Sequence, residues 1–259
     1  MIVTSRYIQI SRRLVQTMQQ SATARIIRNS SSYVDTKWSL SENNPYTLDD
    51  YQRIQGHLMD RIKWRPRIGI ICGSGLGGLA DRINDARKVS YQDIPGFPVN
   101  TAPGHAGQFV FGMLSGKPVM CMQGRFHLYE GYQPWQLTIP IRVMKLLGVH
   151  TLIVTNAAGS LHPEYNVGDV MVIKDHINMP GLVNFNPLCG PNIDSFGPRF
   201  PSLCNAYDWD LRHDLFQAAK ELHLENIMRE GIYCTTSGPN FGTPAEHRFL
   251  RLIGSDAVD

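Results

Sequence analysis

Apolar residues recur along the chain at two spacings that alternate. Tyr51, Ile54, Leu58 and Ile62 fall three or four apart, behind Asp49 and Asp50. Acids suit the positive end of a helix dipole, so the spacing predicts a helix over residues 48–62. Ile68–Cys72 is a short apolar run rich in branched residues, the pattern of a strand buried on both faces. A short helix is expected from Leu79 to Ala86. Phe109–Leu114 and Val119–Gln123 are strand-like and are separated by Ser115-Gly116-Lys117, which predicts a hairpin. Pro134–Leu147 has helical spacing and meets Gly148, a residue that closes helices because it tolerates positive φ. Further strands are expected over residues 151–155, 170–173 and 231–236, and helices over 207–224 and 243–254. Thr243-Pro-Ala-Glu246 supplies an N-cap, a proline at the first helical position and the glutamate of a capping box. Ala257 and Val258 open one more strand. Repeated strand–loop–helix units predict an α/β sheet with its ligand site at the carboxyl ends of the strands.

Several stretches carry no period at all, and they hold the chemistry. The strand at 68–72 runs straight into Gly73-Ser-Gly-Leu-Gly-Gly78. Glycines let backbone N–H groups converge on one point, which is how proteins cradle phosphate. Gly73, Gly75 and Gly78 also satisfy a dinucleotide fingerprint, which needs an acid about 20 residues on at the end of a parallel strand. Asp93 has the distance, but Val89-Ser-Tyr-Gln92 before it is short and polar for a buried strand, so a dehydrogenase is the minority reading. His105 lies in Pro103-Gly-His-Ala-Gly107, a loop that offers an imidazole little to pack against, which favours a functional role. In Gly124-Arg-Phe-His-Leu-Tyr-Glu-Gly131 an extended backbone would turn Arg125, His127 and Tyr129 to one face and Phe126 and Leu128 to the other. The strand at 151–155 enters a second small-residue loop, Asn156-Ala-Ala-Gly-Ser160. Residues 181–200 form a long excursion rich in Pro, Gly and Asn, a length that in compact domains is functional or mobile.

Composition narrows the partners. With 259 residues, 42% hydrophobic and 18% charged, the chain suits one large α/β domain or two small ones. No apolar run approaches the roughly 20 residues needed to span a bilayer, so no membrane is expected. The five cysteines are scattered, with no C-x-x-C pair, which suits reduced thiols in the cytoplasm better than a disulfide framework or a zinc site. No H-E-x-x-H or comparable metal motif occurs. Net charge is +3, but residues 1–34 hold five arginines and no acid, leaving the body of the chain at −2. A nucleic-acid partner is therefore not expected. If residues 6–20 are helical, Tyr7, Ile10, Leu14 and Met18 share a face opposite arginines, as in a mitochondrial presequence; a disordered tail is the other expectation. Either way residues 1–44 form an N-terminal extension to a domain over 45–259.

The scattered polar groups fit one chemistry together. Backbone N–H groups and Ser74 hold an inorganic phosphate, Arg125 adds a planar fork, and His105 and His127 add donors. A phosphate so held can itself attack a glycosidic carbon, whose oxocarbenium-like transition state a nearby anion stabilises. Phosphate is then a substrate, and neither metal nor cofactor is required.

Six segments in order carry a specific resemblance: Gly73–Gly78, Pro103–Gly107, Gln123–Gly131, Thr155–Gly159, Asp175–Asn178 and Gly238–Phe241. Over residues 46–258 the chain resembles the trimeric purine nucleoside phosphorylases. The resemblance implies a three-layer α/β phosphorylase/hydrolase-type fold with a mixed, partly barrel-like central sheet, a homotrimer, and purine nucleoside and phosphate as substrates. It implies a phosphate site of Ser74, His105, Arg125, Phe126, His127 and the backbone of Ala157. Tyr129, Tyr233 and Phe241 match nucleoside-contacting positions, and Phe200 matches an aromatic that reaches into the neighbouring subunit's site. Gly242 stands where the family has its base-binding glutamate. The related methylthioadenosine phosphorylases also lack that glutamate, which leaves an altered base preference as an alternative. The family continues past the position of Asp259 with a Gly-Met-Ser-Thr loop, which implies a domain incomplete at its C-terminus and, as a further alternative, a non-catalytic chain or trimer partner.

Overall fold

The computed structural model describes residues 43–259 apart from Ser74, Asn100 and residues 102–105. The expectations for residues 1–34, for Ser74 and for His105 therefore lie outside the described residues. Helix α1 (Leu48–Met59) starts where its sequence says it should: the Thr47 N–H and hydroxyl both donate to Asp50 Oδ2, at 2.8 and 2.7 Å. Its apolar stripe, Tyr51, Ile54 and Leu58, is buried.

Strands β1 (Ile68–Cys72), β2 (Asn84–Ser90), β3 (Gln108–Leu114), β4 (Lys117–Gln123) and β5 (Thr151–Val154) form a mixed sheet in the order β2-β3-β4-β1-β5. The β3–β4 hairpin closes at Leu114 and Lys117 through Ser115 (φ 48°) and Gly116 (φ 74°), the two-residue positive-φ turn that matches strand twist. β1 is parallel to both β4 and β5, with Cys72 level with Gln123 and Ile71 level with Val154. The chain thus leaves all three strands at the same edge, at Gly73, Gly124 and Thr155.

Alternate side chains go to opposite faces, and both faces are apolar. Ile71, Phe109, Phe111, Met120 and Met122 pack with α1 and with α3 (Ile139–Leu147). Ile70, Cys72, Val110, Val119 and Cys121 pack with Ala80 and Ile83 around a 3-10 helix, Gly77–Arg82. The expected single helix over 134–147 is two, α2 (Pro134–Leu137) and α3, meeting at Thr138. Pro140 has no N–H to give to the carbonyl of Gln136, so the helical ladder is interrupted there.

The helix expected over residues 79–86 is not formed. The 3-10 turn gives way to β2, an edge strand antiparallel to β3. Only Val89 of β2 is buried, so its sequence carries no readable alternation; its partner strand, not its composition, makes it a strand. This also disposes of the dehydrogenase reading. The strand that follows the glycines, β2, lies at the sheet edge and is not a neighbour of β1, and Asp93 ends a 3-10 turn, Tyr91–Asp93.

The remaining strands, β6 (Gly159–Ser160), β7 (Val170–Asn178), β8 (Met228–Thr235) and β9 (Ala257–Val258), form a second mixed sheet in the order β6-β9-β8-β7. β7 outruns its expected length because a bulge between Ile173 and Asp175 lets pairing with β8 resume as far as Asn178. A short helix, α4 (Met179–Leu182), follows β7, and α5 (Trp209–Glu221) and α6 (Pro244–Leu252) flank the later strands. The capping box of α6 is made: Thr243 N–H donates to Glu246 Oε2 at 2.6 Å, and Glu246 N–H to Thr243 Oγ1 at 3.2 Å. Among the described residues no helix is long and apolar enough to cross a membrane.

Asp256 binds the second sheet together. Its Oδ2 accepts the Ile232 N–H at 2.8 Å, its own N–H goes to Ile232 O at 2.8 Å, and its carbonyl accepts from Leu161 and His162. Asp256→Ala leaves the Ile232 N–H without its acceptor and should cost about 1–3 kcal/mol in urea unfolding. Asp256→Asn, which keeps a carbonyl oxygen in place, should cost less.

Candidate active site

The turn after β1 is stitched to both neighbouring strands. Gly73 N–H donates to Thr155 Oγ1 at 3.1 Å, and that hydroxyl donates to Ile71 O at 3.1 Å. A Cβ on Gly73 would lie 2.3 Å from Thr155 O and 2.6 Å from Asn156 Cα, backbone atoms that cannot swing aside. Glycine here is a requirement of close approach. At the far end of the turn, Gly77 O accepts from Gln123 Nε2 at 3.0 Å, and Gln123 Oε1 accepts from Gln108 Nε2 at 2.6 Å.

β4 leaves its sheet at Gly124 (φ 103°), whose carbonyl accepts from the buried Tyr91 hydroxyl at 2.7 Å. Phe126 turns inward among Tyr91, Phe97 and Tyr132, so its side chain faces away from Arg125 and His127. Arg125 and His127 are half-buried on the other side. The expected alternation holds as far as His127. Leu128–Glu130 then winds into a 3-10 turn and brings the Tyr129 ring back over His127, stacked at 4.6 Å.

That turn exposes a residue the sequence reading passed over. Glu130 Oε1 accepts the His127 N–H at 2.9 Å and faces His127 Nδ1 at 2.8 Å, while Oε2 accepts the Thr101 N–H and hydroxyl at 2.6 and 2.8 Å. Burial alone would raise the Glu130 pKa; the hydrogen bonds from Thr101 and His127 outweigh it and hold the carboxyl below its ordinary value. An ionised carboxylate only accepts, so Nδ1 of His127 is the donor and the ring orientation is set. A signal was present: a carboxylate three residues after the first residue of a turn is a capping pattern.

The second sheet supplies the opposite side. The Tyr233 hydroxyl on β8 accepts from Asn156 Nδ2 at 3.1 Å, and that amide also reaches Ala157 O at 2.9 Å. Burial pushes the Tyr233 hydroxyl pKa well up, Asp259 adds to this, and Arg125 opposes it, which places the guanidinium within electrostatic reach. Gly238 (φ 61°) lies against Tyr129: a Cβ there would be 3.3 Å from the ring. Arg125, His127, Tyr129, Tyr233 and the Asn156–Ala157 loop are thus brought together. Asn156 was passed over as a site residue because nothing in its local sequence distinguishes it. Phe200 and Phe241 are exposed, 88% and 91%. Phe200 lies under the Arg199 guanidinium on the rim of a hollow of about 360 Å³ with Leu188, Cys189 and Leu203. Among the described residues no cluster of His, Cys, Asp and Glu converges where a metal ion could sit.

Residues 67–259 match the model of the phosphorylase superfamily. Purine nucleoside phosphorylase of Bos taurus is 51% identical over 215 residues, 83% of this chain and 74% of that protein. Purine nucleoside phosphorylase 1 of Bacillus subtilis is 51% identical over 210 residues, 81% of this chain and 76% of that one. The chain belongs to the purine nucleoside phosphorylase family. Its α/β architecture of two mixed sheets matches solved family members. Schistosoma mansoni purine nucleoside phosphorylase in complex with adenosine has a TM-score of 0.79 at 47% identity, covering 82% of this chain and 75% of that one. A purine nucleoside phosphorylase in complex with ribose-1-phosphate has a TM-score of 0.79 at 48% identity, covering 82% and 78%.

Two stability changes follow. Gly73→Ala must push Thr155 and Asn156 away and should destabilise by about 1–3 kcal/mol in urea. Glu130→Gln should cost about 1–3 kcal/mol at neutral pH. Because the folded pKa of Glu130 is depressed, its charge stabilises above the unfolded carboxyl value, about pH 4, and this is lost as pH falls through the folded value. The difference between wild type and variant should therefore shrink when unfolding is measured towards pH 3.

Proposed function

We propose that the chain catalyses phosphorolysis of purine nucleosides, releasing free base and pentose 1-phosphate. This reading rests on the shared edge of the first sheet, where the glycine turn follows β1 and Arg125 and His127 follow β4. Guanidinium, imidazole and backbone N–H groups there suit a tetrahedral oxyanion. Ser74 and His105 complete the phosphate set in this reading; Thr101 and Gly107, on either side of residues 102–105, are bonded to Glu130 and to Gln123 O respectively. An oxygen of hydrogen phosphate attacks C1′, the electrons of the glycosidic C–N bond pass to the purine, and the purine nitrogen takes up the proton that the phosphate gives up. The held dianion stabilises the positive charge that grows on the sugar. Tyr129 lies over the sugar, and Tyr233, Phe241 and Gly242 border the base. The complexes of relatives with adenosine and with ribose-1-phosphate support both halves of the reaction. A homotrimer belongs to the same reading: Phe200, exposed on its excursion, would serve the site of a neighbouring copy. The cytoplasm suits the five free thiols.

The purified chain should release base from inosine only when phosphate is present. Arg125→Ala should lower kcat/KM for phosphate by about 10²–10³-fold, the range seen when one charge-stabilising donor is removed. Folded protein, by circular dichroism, that releases no base from inosine, guanosine, adenosine or methylthioadenosine would overturn the reading in favour of a non-catalytic chain.

A further inference from the structure

We infer that His247 contacts the edge of the purine base in this chain, from the space beside Gly242, and that it admits both 6-oxo and 6-amino purines. This rests on the nucleoside-site reading above. A Cβ at position 242 would lie 2.7 Å from His247 Nε2 and 2.8 Å from its Cδ2. The nitrogen-bearing edge of the imidazole therefore occupies the volume that any side chain at 242 would need. Gly242 and His247 fit as a pair.

The placement of His247 follows from its helix. It sits in the first turn of α6, where its N–H donates to Thr243 O at 3.0 Å and the Thr243–Glu246 capping box holds the turn. The ring is half-buried. The neighbouring carboxylate, Glu246, feels it: hydrogen bonds from Thr243 hold the Glu246 pKa below its ordinary value, and His247 lowers it further. The turn that carries Gly242 starts at Gly238, against Tyr129, which is stacked on His127. His247 thus borders Gly242, at the other end of the segment that begins against Tyr129.

The chemistry of the ring sets the selectivity. A carboxylate at this wall could only accept, which favours a purine that presents an N–H and rejects one that presents a lone pair. A neutral imidazole presents a donor at one nitrogen and an acceptor at the other, and its tautomer can change. Nε2 can donate to a carbonyl oxygen or ring nitrogen, and it can accept from a ring N–H or an exocyclic amine.

The test is equilibrium binding of inosine and of adenosine by calorimetry, with phosphate binding measured separately. Wild type should bind the two nucleosides within tenfold of each other. His247→Ala should weaken both by about tenfold, the loss of one hydrogen bond, and leave phosphate affinity unchanged. His247→Gln, which keeps a donor and an acceptor, should recover most of the loss. Nucleoside binding that is the same in wild type and His247→Ala, or a wild-type preference above a hundredfold for either base, would overturn the inference while leaving the phosphorylase reading intact. A loss of phosphate affinity equal to the loss of nucleoside affinity would mark His247 as structural and also overturn it. If wild type binds phosphate but neither nucleoside, the functional reading falls and this inference with it.

Discussion

The closeness of β1 to β5 at Gly73 is the constraint on which the site depends. Two parallel strands bring their ends to the same edge of a sheet, but they do not by themselves bring the following turns into contact. Here the Thr155 hydroxyl links Gly73 N–H to Ile71 O, and the Gly73 Cα lies so near the Thr155–Asn156 backbone that no Cβ fits. The glycine turn is therefore built against one neighbouring strand and tied by Gln123 to the other.

Polar clamps then join the pieces that the sheets leave separate. Glu130 collects the backbone of His127, its imidazole nitrogen and Thr101, so one carboxylate orients a site histidine and anchors a loop. Asn156, at the end of the first sheet, holds the Tyr233 hydroxyl of the second. Asp256 does the same inside the second sheet, between β8 and the segment after β6. Each clamp pairs polar groups that lie far apart in the sequence or on separate strands. The site lies at the junction of the two sheets, with most of its groups after strands of the first and Tyr233 on the second.

Beside family membership at about half identity, the pairing of Gly242 with His247 is a local feature of this chain. The imidazole of His247 fills the volume that a side chain at 242 would need, so the two positions constrain each other.

Local signals in the sequence determined much of this protein. Helical and strand periodicity located β1, the β3–β4 hairpin, α1 and α6, because their apolar stripes and capping residues act within a few positions of one another. The tight glycine turn and the alternation of Arg125, Phe126 and His127 were legible for the same reason. Other features were decided only in three dimensions. β2 carries no alternation, since one of its residues is buried and its strand character comes from hydrogen bonds to β3. Glu130 and Asn156 matter through partners at Thr101 and Tyr233. Gly242 acquires a meaning only beside His247, five residues on and a turn of helix away. These are contacts between groups that the fold brings together, and a hydrogen bond or a steric conflict exists only once both atoms have a place.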